Sequence, residues 1–488
     1  MPFAQELWVS LQNDSRLVLP VLALWFIGTL MLWPFGSLLL KRMPKNKWAI
    51  VAAAALLLSG WYAINSPEGI GFANMFRVDG VTKGFQLLCI IAGLLTIALG
   101  QKQMGALKEH TVEYYALILF SISGMLLLVG ATDLVSIYFA IELMALCIYI
   151  LVAYLRTRDR GIEAGIKYFL LGAFSSGILL FGISLLFAAT GGTTTNLEQL
   201  GRAIALAPGN HEVLVFTGIL MVLIGFAFKV AAVPFHMWSP DAYEGAPTPI
   251  TAFMSMAPKA AALAAFIRVF GTGFNGVSEN WAGPLAFIAA ASMILGNIAA
   301  FKQQSLKRML AYSSIGHVGY MLLGVMSHDA SAGAQVVWLY MMIYLIMQTG
   351  AFAVVIYMQG TEEGERIDDF RGMGRRQPLL AFAMMVFMLS LAGIPPLLGF
   401  FGKFYLFKLA IEQGFVALTV IALLTSAAAA YYYLNVVAQM YFKEPPEGTP
   451  ATMGAGAKLL IAACSIALIA GAAFGAWMMD WAGTIVLG

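Results

Sequence analysis

The sequence predicts an all-α polytopic membrane protein of about fourteen transmembrane helices, with two inverted five-helix repeats that each contain a proline-broken helix. Three observations predict it. Apolar residues make up 60% of the chain and charged residues 11%, with a mean hydropathy of +0.83, which is more apolar surface than a soluble core needs. Apolar runs long enough to span hydrocarbon recur from end to end. Basic residues concentrate on alternate loops.

The runs lie near residues 17–40, 47–65, 83–101, 113–131, 133–155, 163–189, 212–238 and 248–271, then near 284–301, 309–327, 334–358, 378–411, 415–442 and 457–481. The 378–411 run exceeds one span, and SLAGIPPLLGFFGKF interrupts it. The five helices from 113 and the five from 284 have similar lengths at an offset of roughly 170 residues. The fourth of each set contains a proline break, Pro234 in KVAAVPFH and Pro395–Pro396 in AGIPPLLG, because proline lacks the helix N–H and clashes with the preceding turn. A five-span unit is odd, so its second copy runs inverted, and paired broken helices in inverted repeats point to a site at the bilayer midplane. The expected organisation is an N-terminal three-helix segment (1–112), a first repeat (113–271), a second, inverted repeat (284–442) and a C-terminal transmembrane helix (443–488). The N-terminus, MPFAQELWVSLQNDSR, lacks the basic flank of a cleavable signal, so the first helix is expected to be retained.

Of 28 Lys and Arg, eighteen fall on one set of loops: Lys41, Arg42, Lys45, Lys47, Lys102, Lys108, Arg156, Arg158, Arg160, Lys302, Lys307, Arg308, Arg366, Arg371, Arg375, Arg376, Lys443 and Lys458. Six fall on the other: Arg16, Arg77, Lys83, Arg202, Arg268 and Lys408. The positive-inside rule then puts both termini outside the cytoplasm. The remaining four, Lys167, Lys229, Lys259 and Lys403, are all lysines inside predicted spans. Among 25 acids, only Glu142 (YFAIELMALCIYI) lies clearly at mid-membrane. An ammonium at the bilayer centre costs at least about 2.5–3.5 kcal/mol. Lysine can lose its proton when desolvated and arginine effectively cannot, so the choice of lysine every time suits groups that titrate.

These residues read as the proton-handling centre of a transporter. Glu142 needs a partner or a proton, and Lys229 and Lys167 are the candidate partners. A Glu–Lys pair in low dielectric has coupled titrations, so moving one partner shifts the proton affinity of the other; a purely structural ion pair is the alternative. Lys259 (MAPKAAALAAF) and Lys403 (GFFGKFYLF) would continue a lateral chain into the second repeat, unless Lys403 snorkels to an interface. His317 (SSIGHVGYM), where a counterpart of Glu142 would fall, is either a relay between lysines or a hydrogen-bonded packing residue. His236, just past the first break, can satisfy carbonyls that the break frees. Ser175, Ser176, Ser313 and Ser314 can hold waters or simply allow close helix packing.

The loop WSPDAYEGAPTP is the one loop on its side without a basic residue, and a rigid turn explains it sufficiently. The small residues of SAAAAYYY and AGAGAK read as membrane packing. Cys89, Cys147 and Cys464 lie singly, with no CxxC or metal spacing, which argues against iron–sulfur and zinc sites. No GxGxxG follows a strand-like segment, so no nucleotide site is visible. Composition excludes a soluble nucleotide-dependent enzyme.

GFAFKVAAVPFHMWSPDAYEGAPTPITAFMSMAPKAA closely resembles the hallmark of the antiporter-like subunits of respiratory complex I, the proton-pumping NADH:quinone oxidoreductase. The PFHMWSPDAYEGAPTP form is most similar to the N-subunit branch of that group. YFAIELMAL around Glu142, IKYFLLGAFSSG around Lys167 and LAGIPPLLGFFGKFY around Lys403 match the same pattern, so the resemblance covers essentially the whole chain. It implies a multi-pass subunit of a bacterial inner membrane that contains no redox group and translocates protons as electrons reach quinone elsewhere. FMN, iron–sulfur clusters and quinone would then belong to other subunits. The partners implied are neighbouring antiporter-like and small membrane subunits within the lipid bilayer, and no nucleic acid. By motif, the first repeat becomes a proton half-channel, Glu142 and Lys229 the coupling pair, Lys167 its modulator, Lys259 the central lysine and Lys403 the exit-side residue. A subunit of a multi-subunit Na⁺/H⁺ antiporter shares this fold and many of these lysines, so it stands as the alternative. A scaffold would have no use for costly mid-membrane charges.

Overall fold

Apolar segments in hydrocarbon satisfy their backbone polar groups only as helices, and helices are what these runs form. The computed structural model describes residues 14–32, 46–105, 111–156, 158–205, 212–359, 365–445 and 454–487. Lys41, Arg42, Lys45, Lys108 and the distal part of the first predicted span lie outside the described residues. In chain order the helices are α1 (Leu19–Leu32), α2 (Asn46–Asn65), α3 (Gly80–Gly105), α4 (Thr111–Gly130), α5 (Leu134–Val152), α6 (Asp159–Ala189), α7 (Leu197–Ala205), α8 (Glu212–Lys229), α9 (Trp238–Gly245) and α10 (Thr248–Arg268). Then follow α11 (Ala282–Ala300), α12 (Leu306–Val325), α13 (Ala330–Gln359), α14 (Met373–Arg376), α15 (Pro378–Ala392), α16 (Leu398–Glu412), α17 (Val416–Phe442), α18 (Ala455–Ala470) and α19 (Gly475–Val486).

Among the described residues, eleven helical stretches are long and apolar enough to cross a membrane, and α1 and α15 are shorter apolar helices. Three predicted spans are cut short, divided or fall below that standard for physical reasons. The 212–238 run stops being helical at Lys229, five residues before Pro234, with Ala231 in a left-handed conformation (φ 62°). The 378–411 run divides into α15 and α16 around Gly393 (φ 83°) and the two prolines. The 309–327 run forms α12, but its serines, His317, Lys307 and Arg308 make it too polar to qualify by composition.

Two elements were not expected. A two-stranded antiparallel hairpin, β1 (Gly69–Gly71) with β2 (Phe76–Val78), pairs Ile70 with Arg77, so the chain is not wholly helical. Polar anchors hold its turn: Asp14 accepts the Phe72 N–H (3.1 Å), and the Asn74 carbonyl accepts Thr132 Oγ1 (2.7 Å) and Asn196 Nδ2 (2.8 Å). The amphipathic α7 buries Leu197, Leu200 and Ile204. Both are short and lie in connections between the apolar runs from which the spans are read.

Helix α10 is the centre. Every one of its residues is buried, and α3, α4, α5, α8, α12 and α13 pack on it. Small residues allow the tightest pairings around it. A Cβ on Gly182 of α6 would meet the Gly218 carbonyl of α8 at 2.9 Å, and one on Gly296 of α11 would meet the Gly316 N of α12 at 2.6 Å. Large apolar side chains cover the outside, among them Phe26, Trp61, Phe139, Phe174, Phe287 and Tyr431, as suits a lipid-facing surface.

One end of α10 is fixed by Arg268, which the sequence reading assigned to a loop. It is buried in the last turn, where Nε donates to the Val129 carbonyl (2.8 Å) and Nη2 to Asp79 Oδ1 (2.5 Å) and Thr82 Oγ1 (2.7 Å). Burial alone would raise the Asp79 pKa, but the Arg268 charge and hydrogen bonds from Arg268 and Thr82 outweigh it and hold the carboxyl below its ordinary value. A group depressed in this way contributes stability at neutral pH and loses it only as pH falls through the lowered pKa. Asp79→Asn is expected to cost about 3 kcal/mol, since it leaves a buried guanidinium without its counter-charge. The midpoint of thermal unfolding in detergent should fall for Asp79→Asn and largely recover in Asp79→Glu; an unchanged midpoint would show the clamp contributes nothing.

Candidate functional site

Helices α5, α6 and α8 bring the first cluster together. Asp133 caps α5 by accepting the N–H groups of Val135 (2.9 Å) and Ser136 (3.3 Å), a standard way to satisfy orphan donors. The Thr195 hydroxyl also donates to it (2.7 Å). Glu142, nine residues on, therefore lies about 13.5 Å along the helix. Lys229 ends α8, and its Nζ is 3.6 Å from Glu142 Oε1. Ser176 of α6 stands between the two: its hydroxyl donates to Glu142 Oε1 and accepts from Lys229 Nζ (3.1 Å). The Lys229 side chain is 3% exposed and that of Glu142 23%. Glu142 borders the exposed stripe of Phe139, Leu146 and Ile150 on α5.

Lys167 does not join this cluster. It lies nine residues before Ser176 on α6, about 13.5 Å away along the axis, too far for its side chain to reach Glu142. Its Nζ pairs with Glu163 (2.7 Å) and Asp241 (3.1 Å), and the side chain is 48% exposed.

The second cluster surrounds Lys259, fully buried in α10 directly after Pro258. Its Nζ donates to Ser314 Oγ on α12 and lies 5.8 Å from the Tyr243 ring centroid; the Tyr243 hydroxyl is 3.5 Å from the same Ser314 Oγ. One turn along α12, His317 Nδ1 meets the Tyr340 hydroxyl (2.6 Å) and Nε2 the Tyr433 hydroxyl (3.0 Å), which also bonds Ser313.

The third cluster surrounds Lys403 of α16. Its Nζ donates to the Ala392 carbonyl (2.9 Å), at the end of α15, and to Ser426 Oγ of α17 (2.8 Å). It lies 5.4 Å from the Tyr320 ring centroid. The residue is 5% exposed, so it points inward and does not snorkel. Gly393 makes room for it, since a Cβ there would meet Lys403 Cδ at 2.8 Å. Tyr320 accepts from Asn297 Nδ2 (3.1 Å), and Asn297 Oδ1 accepts from Tyr432 (2.9 Å).

At the other end of α10 from Arg268, the WSPDAYEG segment forms α9. Asp241 accepts Arg308 Nη1 (2.7 Å) as well as Lys167, and Glu244 accepts Arg308 Nη1 (2.9 Å). Lys307, counted in the sequence as a loop residue, is buried and donates to the carbonyls of Glu244 and Ala246 (both 2.8 Å). Burial pushes the Asp241 pKa up, but hydrogen bonds from Arg308 and Lys167 and their charges more than offset this and hold it below the ordinary aspartate range. Three imported cations thus neutralise the loop without a basic residue. Trp238 Nε1 caps the Phe228 carbonyl at the end of α8 (3.1 Å), a carbonyl partner that the sequence reading did not foresee.

Sequence reasoning left Ser176 and Ser314 uncommitted, and missed Tyr243, Tyr320, Tyr340, Tyr433 and Ser426. Ser426 and Tyr433 lie in the stretch TSAAAAYYY, whose alanines concealed them as packing. The available signal was polar groups four to seven residues apart on one helix, matching the face of a partner carrying a lysine. Among the described residues, no group of three or more His, Cys, Asp or Glu is placed to hold a metal ion. The three clusters alternate charged groups with hydroxyls that both donate and accept, an arrangement able to hold and pass protons.

Comparison with known proteins shows the family. The family described as "NADH:quinone oxidoreductase/Mrp antiporter, TM" matches residues 131–428. NADH-quinone oxidoreductase subunit N of Paramagnetospirillum magneticum is 42% identical over 430 residues, 86% of each chain. A chain in the structure of respiratory complex I from Thermus thermophilus with bound aureothin is 32% identical, with a TM-score of 0.79 over 95% of this chain and 99% of that one. A chain of the Mrp complex from Dietzia sp. is 20% identical with a TM-score of 0.83 over 97% of both, a likeness of fold. With the fold, the three lysine clusters and these matches together, the chain belongs to the subunit N family of NADH-quinone oxidoreductases.

Proposed function

We propose that this chain is a membrane-arm subunit of respiratory complex I that carries protons across the membrane along Glu142, Lys229, Lys259, His317 and Lys403, driven by quinone reduction in other subunits. One observation carries the reading. Lys259 and Lys403 are buried ammonium-bearing residues whose hydrogen-bond partners are hydroxyls and a carbonyl, with no carboxylate in ion-pair range among the described residues. Static anchoring would be served better by a fixed counter-charge; a group that gains and loses its proton is served better by neutral partners. At Lys229 a counter-charge is present in Glu142, and Ser176 couples them. When Glu142 takes up a proton, its hold on Lys229 weakens, and the lysine can release its own proton toward the centre.

Lys167 acts as a modulator of this path and His317 as the relay between Lys259 and Lys403. The matched breaks after α8 and α15 support fourteen spans in two inverted repeats, 113–271 and 284–442, after a three-helix segment (1–112) and before a final helix (443–488). The partners are other complex I membrane subunits, and Glu142, at the edge of an exposed apolar stripe, suits coverage by one of them. FMN, iron–sulfur clusters and quinone belong to those other subunits. The Na⁺/H⁺ antiporter alternative has weaker support, because the likeness to the Mrp chain is one of fold at 20% identity. The basic-residue asymmetry orients the chain in a bacterial inner membrane with both termini periplasmic and α9 on the cytoplasmic side.

Glu142→Gln keeps the shape and removes the charge. In inverted vesicles it should lower NADH-driven proton uptake and NADH:quinone turnover together by about tenfold or more, with the complex assembled on a native gel. Full activity in both would refute the ion-pair switch. For orientation, Leu487→Cys is informative because Leu487 is exposed while the three native cysteines are buried. A membrane-impermeant maleimide should label it from the periplasmic side of intact cells; labelling only in inverted vesicles would reverse the topology.

A further inference from the structure

Helix α9 has only eight residues, and irregular backbone flanks it on the side of α8. Its own backbone bonds do not join it rigidly to either lysine-bearing helix, so side-chain contacts set its orientation. At one end Trp238 donates to the Phe228 carbonyl beside Lys229 (3.1 Å) and stacks on Tyr168 at 4.1 Å between centroids, 6° from parallel. At the other end Tyr243 lies against Lys259 and Ser314, and its carbonyl accepts Thr251 Oγ1 of α10 (2.8 Å). Trp238 and Tyr243 are five residues apart, about 140° round the helix axis. Any rotation of α9 that shifts Trp238 against the end of α8 therefore also moves Tyr243 across Lys259. Asp241 lies between them and is the residue held from both halves of the chain, by Lys167 of α6 and Arg308 of α12.

We propose that Asp241 is a positioning residue for proton transfer, and that Lys167 acts on the path through Asp241 and α9. This rests on the reading of Lys229 and Lys259 as successive proton sites. Lys167 is too far along α6 to touch Glu142, yet it is neighbour to Tyr168, on which Trp238 stacks, and it grips Asp241 directly. Arg308 spreads the same grip to Glu244, and Lys307 holds the carbonyls at the end of α9. Removing the Asp241 charge releases Lys167 and leaves Arg308 on Glu244 alone. Ionic contacts then hold α9 only at its last turn, through Glu244, and Trp238 and Tyr243 lose the charged grip between them that fixes their common setting. The relation between the end of α8 and the environment of Lys259 loosens without any change to either lysine.

The test is a double-mutant cycle in inverted membrane vesicles carrying the assembled complex, with NADH-driven proton uptake, NADH:quinone turnover and native-gel assembly measured together. Lys167→Met and Asp241→Asn should each lower uptake and turnover by about threefold or more. The double variant should be no worse than Asp241→Asn alone, and Asp241→Glu should restore most of the rate, which a loss of mere bulk would not allow. Fold losses that multiply in the double variant would mean that Lys167 works without Asp241, and parental rates in Asp241→Asn would remove its positioning role; either result overturns the proposal. If Asp241→Asn does not assemble, Arg308→Lys, which keeps the charge but loses the fork joining Asp241 to Glu244, takes its place in the same cycle with the same two outcomes. Lys259→Met separates this proposal from the reading beneath it. Parental pumping in Lys259→Met would refute the proton path itself, whereas an inactive Lys259→Met beside a normal Asp241→Asn would refute only the role of Asp241.

Discussion

A lysine buried in a low-dielectric interior must find hydrogen-bond acceptors, and for three of the buried lysines, Lys229, Lys259 and Lys403, helices meet at polar side chains that supply them. Each solution is different. Lys229 has a carboxylate and a serine, Lys259 a serine and an aromatic face, and Lys403 a serine, a freed carbonyl and an aromatic face. The hydroxyl is common to all three. A hydroxyl can donate or accept, so it tolerates either protonation state of its neighbour, whereas a carboxylate favours only the charged one. Serines at packed helix interfaces also leave room for close approach, so the same residue serves the packing and the chemistry.

The break between α15 and α16 helps to meet that demand. An intact helix keeps its carbonyls for itself, and only an interrupted one can offer a carbonyl to a lysine, as Ala392 does to Lys403. At the first break the freed carbonyl of Phe228 is taken by Trp238 instead, and Lys229 is left to Ser176 and Glu142. Irregular backbone inside a membrane is tolerated where protein satisfies it. Here it is satisfied by a tryptophan in one case and by Lys403 in the other.

Much of this was legible in the sequence because membrane spans write themselves in apolar length and charge placement. Lys229, Lys259, Lys403 and Glu142 stand out since each is a charge where almost none is allowed. His317 was legible as a polar residue within a span, though its tyrosine partners were not. Tyr433 and Ser426 look like ordinary membrane residues beside a run of alanines, and nothing local tells which face they occupy; three-dimensional packing decides it. Lys167 illustrates the reverse error. Its charge within a predicted span suggested a partner for Glu142, but helical rise places it two and a half turns from Ser176, at the level of Asp241. Arg268 and Lys307 were filed as loop charges because helix ends are hard to locate, and the structure buries both.

Helix α10 is held at both ends. Arg268 ties one end to Asp79, Thr82 and Val129, while Thr251 and Thr248 tie the other to the Tyr243 carbonyl and to Gln359. Every residue between is enclosed. A rod fastened in this way can neither slide along its axis nor turn about it without breaking several hydrogen bonds at once. Lys259 is therefore carried by a post fastened at both ends, and the environment of its Nζ is set by what surrounds it: rotamers, hydroxyl orientations and the lie of the short helix beside it.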